Sequence, residues 1–430
     1  MLAALRAIGA NLESSLAGTV TPDARRNMHI EMGVVLLYGA FYASVLNYTP
    51  VVLRRMGASA DLLALYNSLL FLGSIMTSFS VVLMRRRRSK TLLLTCWFGG
   101  RGLFMLCAFV TQAPWLILLS TLFWTLEAFV IPAYTRIVQK LYPDAVRGRV
   151  MSTIRMVQVA AILVVTPLAG WTLDHLGYRV LFPIGALMAL AAALLFTRIQ
   201  VDEGPLPPRD TKTFSDLGQI LREDRRFVIY LISFALLGLG TMMSSPLYPI
   251  VQVDRLGLSY SQIGLLGLVE SIMWLGSYLV WGRLLDRQGG VYILRLVCLI
   301  TMFVPGAYIF AANGWMLLPA FVARGIIMAG FELGRINAGI QLANRGRIIE
   351  YAALQSTTIG MRGIIAPLLG AALLRLGLPD TAVFALSVLL MACGWLLFGY
   401  VHAPKPAPQP VIEREHLRAA WPFRLRPPRP

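Results

Sequence analysis

The chain has 430 residues, 57% of them hydrophobic and only 14% charged, with a formal net charge of +18. Soluble domains average roughly 45–50% apolar and about 25% charged residues, so a water-soluble protein of this composition could not cover its apolar surface. The basic excess does not indicate nucleic acid, because Lys and Arg lie between apolar runs and not on one polar domain.

The first residues, Met1 to Val20, lack the continuous apolar core of a cleaved signal peptide. Residues 1–29 read as a cytoplasmic N-terminal segment. A spanning helix needs about 20 mostly apolar residues. Six such runs follow, near 30–50, 60–84, 89–111, 114–139, 147–173 and 178–199, and define a first bundle over 30–199. A polar linker over 200–226 carries Gly204-Pro205-Leu206-Pro207-Pro208 and a short surface helix near Phe214 to Leu221. Six further runs, near 227–252, 259–284, 290–311, 314–340, 347–375 and 379–401, define a second bundle over 227–401. Turn signals such as Gln112-Ala113-Pro114, Ala312-Asn313-Gly314 and Leu378-Pro379-Asp380 separate several of them. The tail, 402–430, is rich in Pro and Arg and is expected to be disordered.

The chain also repeats itself about 200 residues apart. Arg147-Gly148-Arg149 leads through an apolar run to Thr166-Pro167-Leu168-Ala169-Gly170, and Arg345-Gly346-Arg347 leads likewise to Ala366-Pro367-Leu368-Leu369-Gly370. Two copies of one membrane unit place a site between them, the architecture of a carrier. The expected fold is therefore an all-α membrane protein, with twelve transmembrane helices in two pseudo-symmetric six-helix bundles.

Lys and Arg accumulate on the cytoplasmic side of a membrane protein. With both termini inside, 30 of the 39 basic residues fall at the inner face and 5 in the outer loops. That excess decides the orientation: a multi-pass protein of the cell (inner) membrane with cytoplasmic termini. Cys96, Cys107, Cys298 and Cys393 lie in apolar runs without metal-ligand or redox spacing. They read as small packing residues, and neither metal nor cofactor is expected.

The sharpest local signal is Gly282-Arg283-Leu284-Leu285-Asp286-Arg287-Gln288-Gly289-Gly290, at the inner end of the eighth run. It resembles the G-x-L-x-D-R-x-G-R/K loop of the major facilitator superfamily, a family of repeat-built carriers. Gly282, Leu284, Asp286, Arg287 and Gly289 match, and Gly290 replaces the final basic residue. The resemblance implies a gating role, with Asp286 facing the positive N-terminus of the helix that starts near Arg149. Arg147 and Arg149 resemble the family's loop after the fourth span, again a gating element. The matching first-half loop, Arg85-Arg86-Arg87-Arg88-Ser89-Lys90, has neither aspartate nor glycine, so its arginines either hold anionic lipid heads or simply set topology. The fifth span matches the family's antiporter signature poorly.

An ionisable group at mid-bilayer costs about 2.5–3.5 kcal/mol on insertion scales. Arg101, Glu127, Glu270, Arg324 and Arg362 all fall mid-span. The family resemblance implies that helices one, four, seven and ten line a central cavity. Glu127 and Arg324 are then cavity candidates, with Glu270 and Arg362 at the bundle interface. Arg101 reads as structural, with Glu127 as its possible partner. Glu270 is the candidate coupling acid, and Arg324 and Arg362 are candidates for attracting an anionic or carboxylate-bearing substrate. Tyr38, Tyr42 and Tyr248 suit an amphipathic small molecule.

The expected function is a monomeric secondary active transporter, moving a small molecule by alternating access with proton coupling. It is not an enzyme, and no Walker-type loop points to direct use of ATP. A transport-inactive sensor or scaffold and a lipid-modifying membrane enzyme are the alternatives; the scattered His29, His175, His402 and His416 disfavour the latter.

Overall fold

The computed structural model describes residues 22–73, 88–142, 144–203, 213–343 and 347–402. Every regular element among them is helical. The spans are α1 (Pro22–Phe41), α2 (Ala60–Leu69), α3 (Ser89–Gly102), α4 (Ala113–Leu141), α5 (Asp144–Leu176) and α6 (Tyr178–Phe196), then α7 (Arg225–Met243), α8 (Tyr260–Gln288), α9 (Gly290–Thr301), α10 (Leu318–Leu342), α11 (Ile348–Arg375) and α12 (Asp380–Phe398). Eleven helical stretches among the described residues are long and apolar enough to cross a membrane. The second expected run, 60–84, passes beyond the described residues after position 73. The segment 1–21, Arg85 to Arg87, Arg345, Gly346 and the tail from 403 also lie outside them.

The first helix is already formed at Pro22, the first described residue, about two turns before the expected boundary. Pro22 brings a preset φ and needs no N–H in the first turn, and Asp23 complements the helix dipole there. The helical path then continues to Arg55 through a π-helical turn at Tyr42–Leu46. The seventh span repeats this design. It breaks at Ser244 to Pro246, and a π-helical turn follows at Val251–Arg255. Such turns interrupt regular hydrogen bonding and often mark functional positions. The surface helix of the linker covers Thr213–Glu223.

The two halves pack most closely where α5 meets α8. Tyr48 Oη donates to the Thr166 carbonyl at 2.7 Å. A Cβ added at Gly264 would lie 2.6 Å from that Tyr48 oxygen, and one at Gly170 would lie 2.4 Å from the Tyr260 carbonyl. Small residues here let the helix backbones touch, the usual means of joining helices in lipid.

Candidate functional site

One end of the bundle interface is closed by a band of polar contacts. Arg54 forms an ion pair with Asp254, between the ends of the first and seventh spans. Arg55 lies 3.7 Å from the Tyr260 ring centre and donates to the Leu258 carbonyl. The Asp174 carboxylate accepts from the backbone N–H groups of Tyr260 (2.9 Å) and Ser261 (2.7 Å), and from the Ser261 hydroxyl (2.6 Å). These N–H groups open α8, so Asp174 of one half neutralises the positive helix end of the other. Arg375 pairs with Asp61 at 2.7 Å.

The opposite end differs. Asp286 is exposed and has no hydrogen bond or ion pair among the described residues. The contact that the motif implies, on the helix end near Arg149, is not made in this conformation. The Arg149 side chain itself lies outside the described residues. Arg147 holds the C-terminal turn of α4 by donating to the carbonyls of Tyr142 (3.0 Å) and Gln139 (3.2 Å). Within the motif, a Cβ added at Gly282 would meet nothing within 4 Å, whereas Gly289 has a φ of +83° and turns the chain between α8 and α9. Leu284 packs near Trp281 and Arg287 is exposed. Gly290, the departure from the motif, has a steric cause: a Cβ there would lie 2.2 Å from the Ala338 nitrogen on α10.

Between the ends, the ionisable residues sort into three pairs and two residues without a charged partner. Arg101 is 2% exposed and reaches Glu127 at 3.1 Å. Its guanidinium also donates to the Ala189 carbonyl and lies 3.9 Å from the Trp97 ring centre and 4.7 Å from that of Tyr38. Arg324 on α10 reaches Glu270 on α8 at 3.3 Å. Tyr42 of the first half, and Tyr248 and Tyr308 of the second, lie within electrostatic reach of Arg324. Tyr248 packs on Tyr308 and Phe384, with ring centres 4.6 Å and 5.7 Å away. Arg155 on α5 reaches across the interface to Glu332 on α10 at 3.5 Å, and Tyr278 donates to the same carboxylate.

The two exceptions are Arg362 and Glu31. Arg362 is 4% exposed, donates to the Phe234 carbonyl and lies 4.1 Å from the Phe234 ring centre, with no carboxylate beside it among the described residues. Gly238 makes room for it, since a Cβ there would sit 2.1 Å from the guanidinium. Glu31 is 1% exposed and accepts hydrogen bonds from the Tyr134 and Tyr142 hydroxyls.

A profile of the Major Facilitator Superfamily matches residues 30–348, most of the chain. The chain belongs to that superfamily. Its fold is that of solved transporters. A point mutant of the nucleoside transporter NupG superposes with a TM-score of 0.70 at 12% identity, covering 87% of this chain and 99% of that one. Unmutated NupG gives 0.67 at 12% identity, covering 88% and 100%. A bacterial homolog to the human lysosomal transporter Spinster, inward-facing and occupied, gives 0.65 at 12% identity, covering 87% and 96%. No curated protein is significantly similar to it in sequence.

Within this superfamily chain the seven candidate residues do not form one cluster. Tyr42, Tyr248, Glu270 and Arg324 gather near the interface of the halves. Tyr38 and Glu127 belong with Arg101 inside the first half. Arg362 sits between α11 and α7. Sequence reasoning misses Glu31, because it stands at the edge of a run that begins near residue 30. The helix-start signal of Pro22-Asp23 would have put it in the third turn. It also left the partners Arg155 and Glu332 unjoined, because their pairing depends on how the halves face each other.

Proposed function

We propose that this multi-pass membrane transporter is a secondary active carrier, coupled to protons, that moves a small anionic or carboxylate-bearing molecule by alternating access. The observation that carries the reading is the contrast between its two ends. One is bound shut by Asp174 on the start of α8, by Arg54–Asp254 and by Arg375–Asp61, while the motif aspartate Asp286 at the other has no partner among the described residues. The basic excess supports a motif end that faces the cytoplasm, together with both termini. The conformation is then inward-facing in the cell (inner) membrane. The units that rock are the bundles 30–199 and 227–401, joined by the linker 200–226 and flanked by the segment 1–29 and the tail 402–430. The carrier works as a monomer among membrane lipids, without nucleic acid, metal or cofactor.

Glu270 is the coupling acid in this reading, and its ion pair with Arg324 supports a direct exchange. A proton on Glu270 removes the negative charge that holds Arg324. The freed guanidinium then takes the substrate's carboxylate, with Tyr42 and Tyr248 beside it. Arg362 adds a positive charge to the same half, which favours an anion further. Arg147, Arg149, Gly282, Leu284, Arg287 and Gly289 act with Asp286 in closing the cytoplasmic end.

The test is flux into liposomes holding the purified protein, screened with anionic, neutral and cationic metabolites under an imposed pH gradient. The reading predicts gradient-driven accumulation of an anion. Equal transport of an anionic compound and its neutral analogue would contradict the assigned substrate class, and no flux of any compound would favour a sensor or scaffold.

A further inference from the structure

A cavity of about 280 Å³ opens between α1, α4 and α5, with α3 and α6 behind it. Its wall holds four charged side chains: Glu31, Arg101, Glu127 and Arg155. Arg101 is committed to Glu127 and to the faces of Tyr38 and Trp97. Arg155 is committed to Gln158 at 2.8 Å and to Glu332 of the other half. Each cation therefore already has its own acid. Glu31 remains, buried, with two tyrosine hydroxyls and no cation among the described residues. Those hydroxyls occupy one lone pair on each carboxylate oxygen and leave further acceptor capacity. Much of the remaining wall is apolar, including Val34, Val130, Ile131 and Ile154.

We propose that this cavity binds an organic ammonium ion, with Glu31 as its counter-charge. Burying a carboxylate without a cation is costly, and a bound ammonium supplies the missing partner with charge-assisted hydrogen bonds. A bare metal ion would leave most of this space unfilled and finds no cluster of further acidic, His or Cys ligands among the described residues. The apolar wall suits a hydrocarbon body attached to the ammonium group. Neither Arg324 nor Glu270 lines this cavity, and the proposal does not depend on the roles assigned to them.

The experiment uses three probes with one carbon skeleton: 4-phenylbutylammonium, 4-phenylbutanol and 4-phenylbutyrate. Binding to the purified full chain is followed by calorimetry, without any flux. The expected result is at least a tenfold preference for the ammonium probe over both others, reduced to less than twofold in Glu31→Gln. If Glu31→Gln fails to fold, Ile131→Trp, which fills the cavity and leaves its charges in place, is expected to weaken the ammonium probe by at least tenfold. Equal binding of the three probes to the wild type, or a preference that survives either substitution, would overturn the proposal and leave Glu31 as an acid neutralised by a proton alone. Ammonium binding in a protein that shows no flux would keep this site and remove the transport reading. Flux without ammonium preference would do the reverse.

Discussion

Asp174, near the C-terminal end of α5, accepts a 2.7 Å hydrogen bond from the backbone N–H of Ser261, in the first turn of α8. The contact joins the two halves of the chain at one end of the interface. It is the type of bond, a carboxylate on a helix N-terminus, that the loop motif implies for Asp286 at the other end. In a carrier that works by alternating access, contacts of this kind keep one end shut while the other is open, and the two ends are never open together.

Close backbone contact should matter at the closed end and little at neighbouring positions on the same helix. Gly264→Ala would drive a Cβ to 2.6 Å from the Tyr48 hydroxyl, whereas Gly276→Ala meets nothing within 4 Å. Overpacking costs roughly 1–3 kcal/mol. Thermal unfolding in detergent should show a lowered Tm for Gly264→Ala and a Tm at or above that of wild type for Gly276→Ala, where open space leaves only the gain in helix propensity. Equal shifts in the two variants would show that the α5–α8 contact is not tight.

The Arg101–Glu127 pair should behave as a structural unit. Removing one partner of a buried ion pair costs about 3–5 kcal/mol, whereas replacing both by apolar groups can be nearly neutral. Arg101→Met and Glu127→Leu should each lower the Tm clearly, and the double variant should lie closer to wild type than either single one. A double variant that folds well and also transports at the wild-type rate would exclude Glu127 from the transport cycle. If it folds well but loses transport, Glu127 has a role beyond packing.

The Glu270 assignment separates exchange from accumulation. Glu270→Gln cannot ionise, so Arg324 stays available to an anion in every state of the cycle. Exchange of labelled for unlabelled substrate across liposomes should persist, while accumulation driven by a pH gradient should fall at least tenfold. Undiminished gradient-driven accumulation in this variant would remove Glu270 from the coupling.

The order of the spans was legible in the sequence because lipid imposes a long apolar run on each of them, and Pro167 and Pro367 mark the repeat directly. The start of α1 was not, because Asp23, Arg25, Arg26 and Glu31 lower the apolar count of a segment that is nonetheless helical from Pro22. Burial of Glu31 depends on Tyr134 and Tyr142, more than 100 positions away in sequence, and no local pattern announces that meeting. The Arg101–Glu127 pair could be suspected because both charges sit at similar depth on consecutive spans. The state of the molecule was not readable at all, because whether Asp174 and Asp286 are engaged is a property of the conformation.

The most direct test of alternating access is a pair of distance measurements by spin labels in lipid nanodiscs. One pair is placed at Met56 and Leu256 on the closed end, the other at Lys140 and Ile340 on α4 and α10 toward the opposite end. Each is measured in the wild type and in Asp174→Ala. The account predicts opposite changes: Asp174→Ala lengthens the 56–256 distances and shortens the 140–340 distances. Distances that stay fixed at both ends, or that lengthen at both ends together, would contradict it.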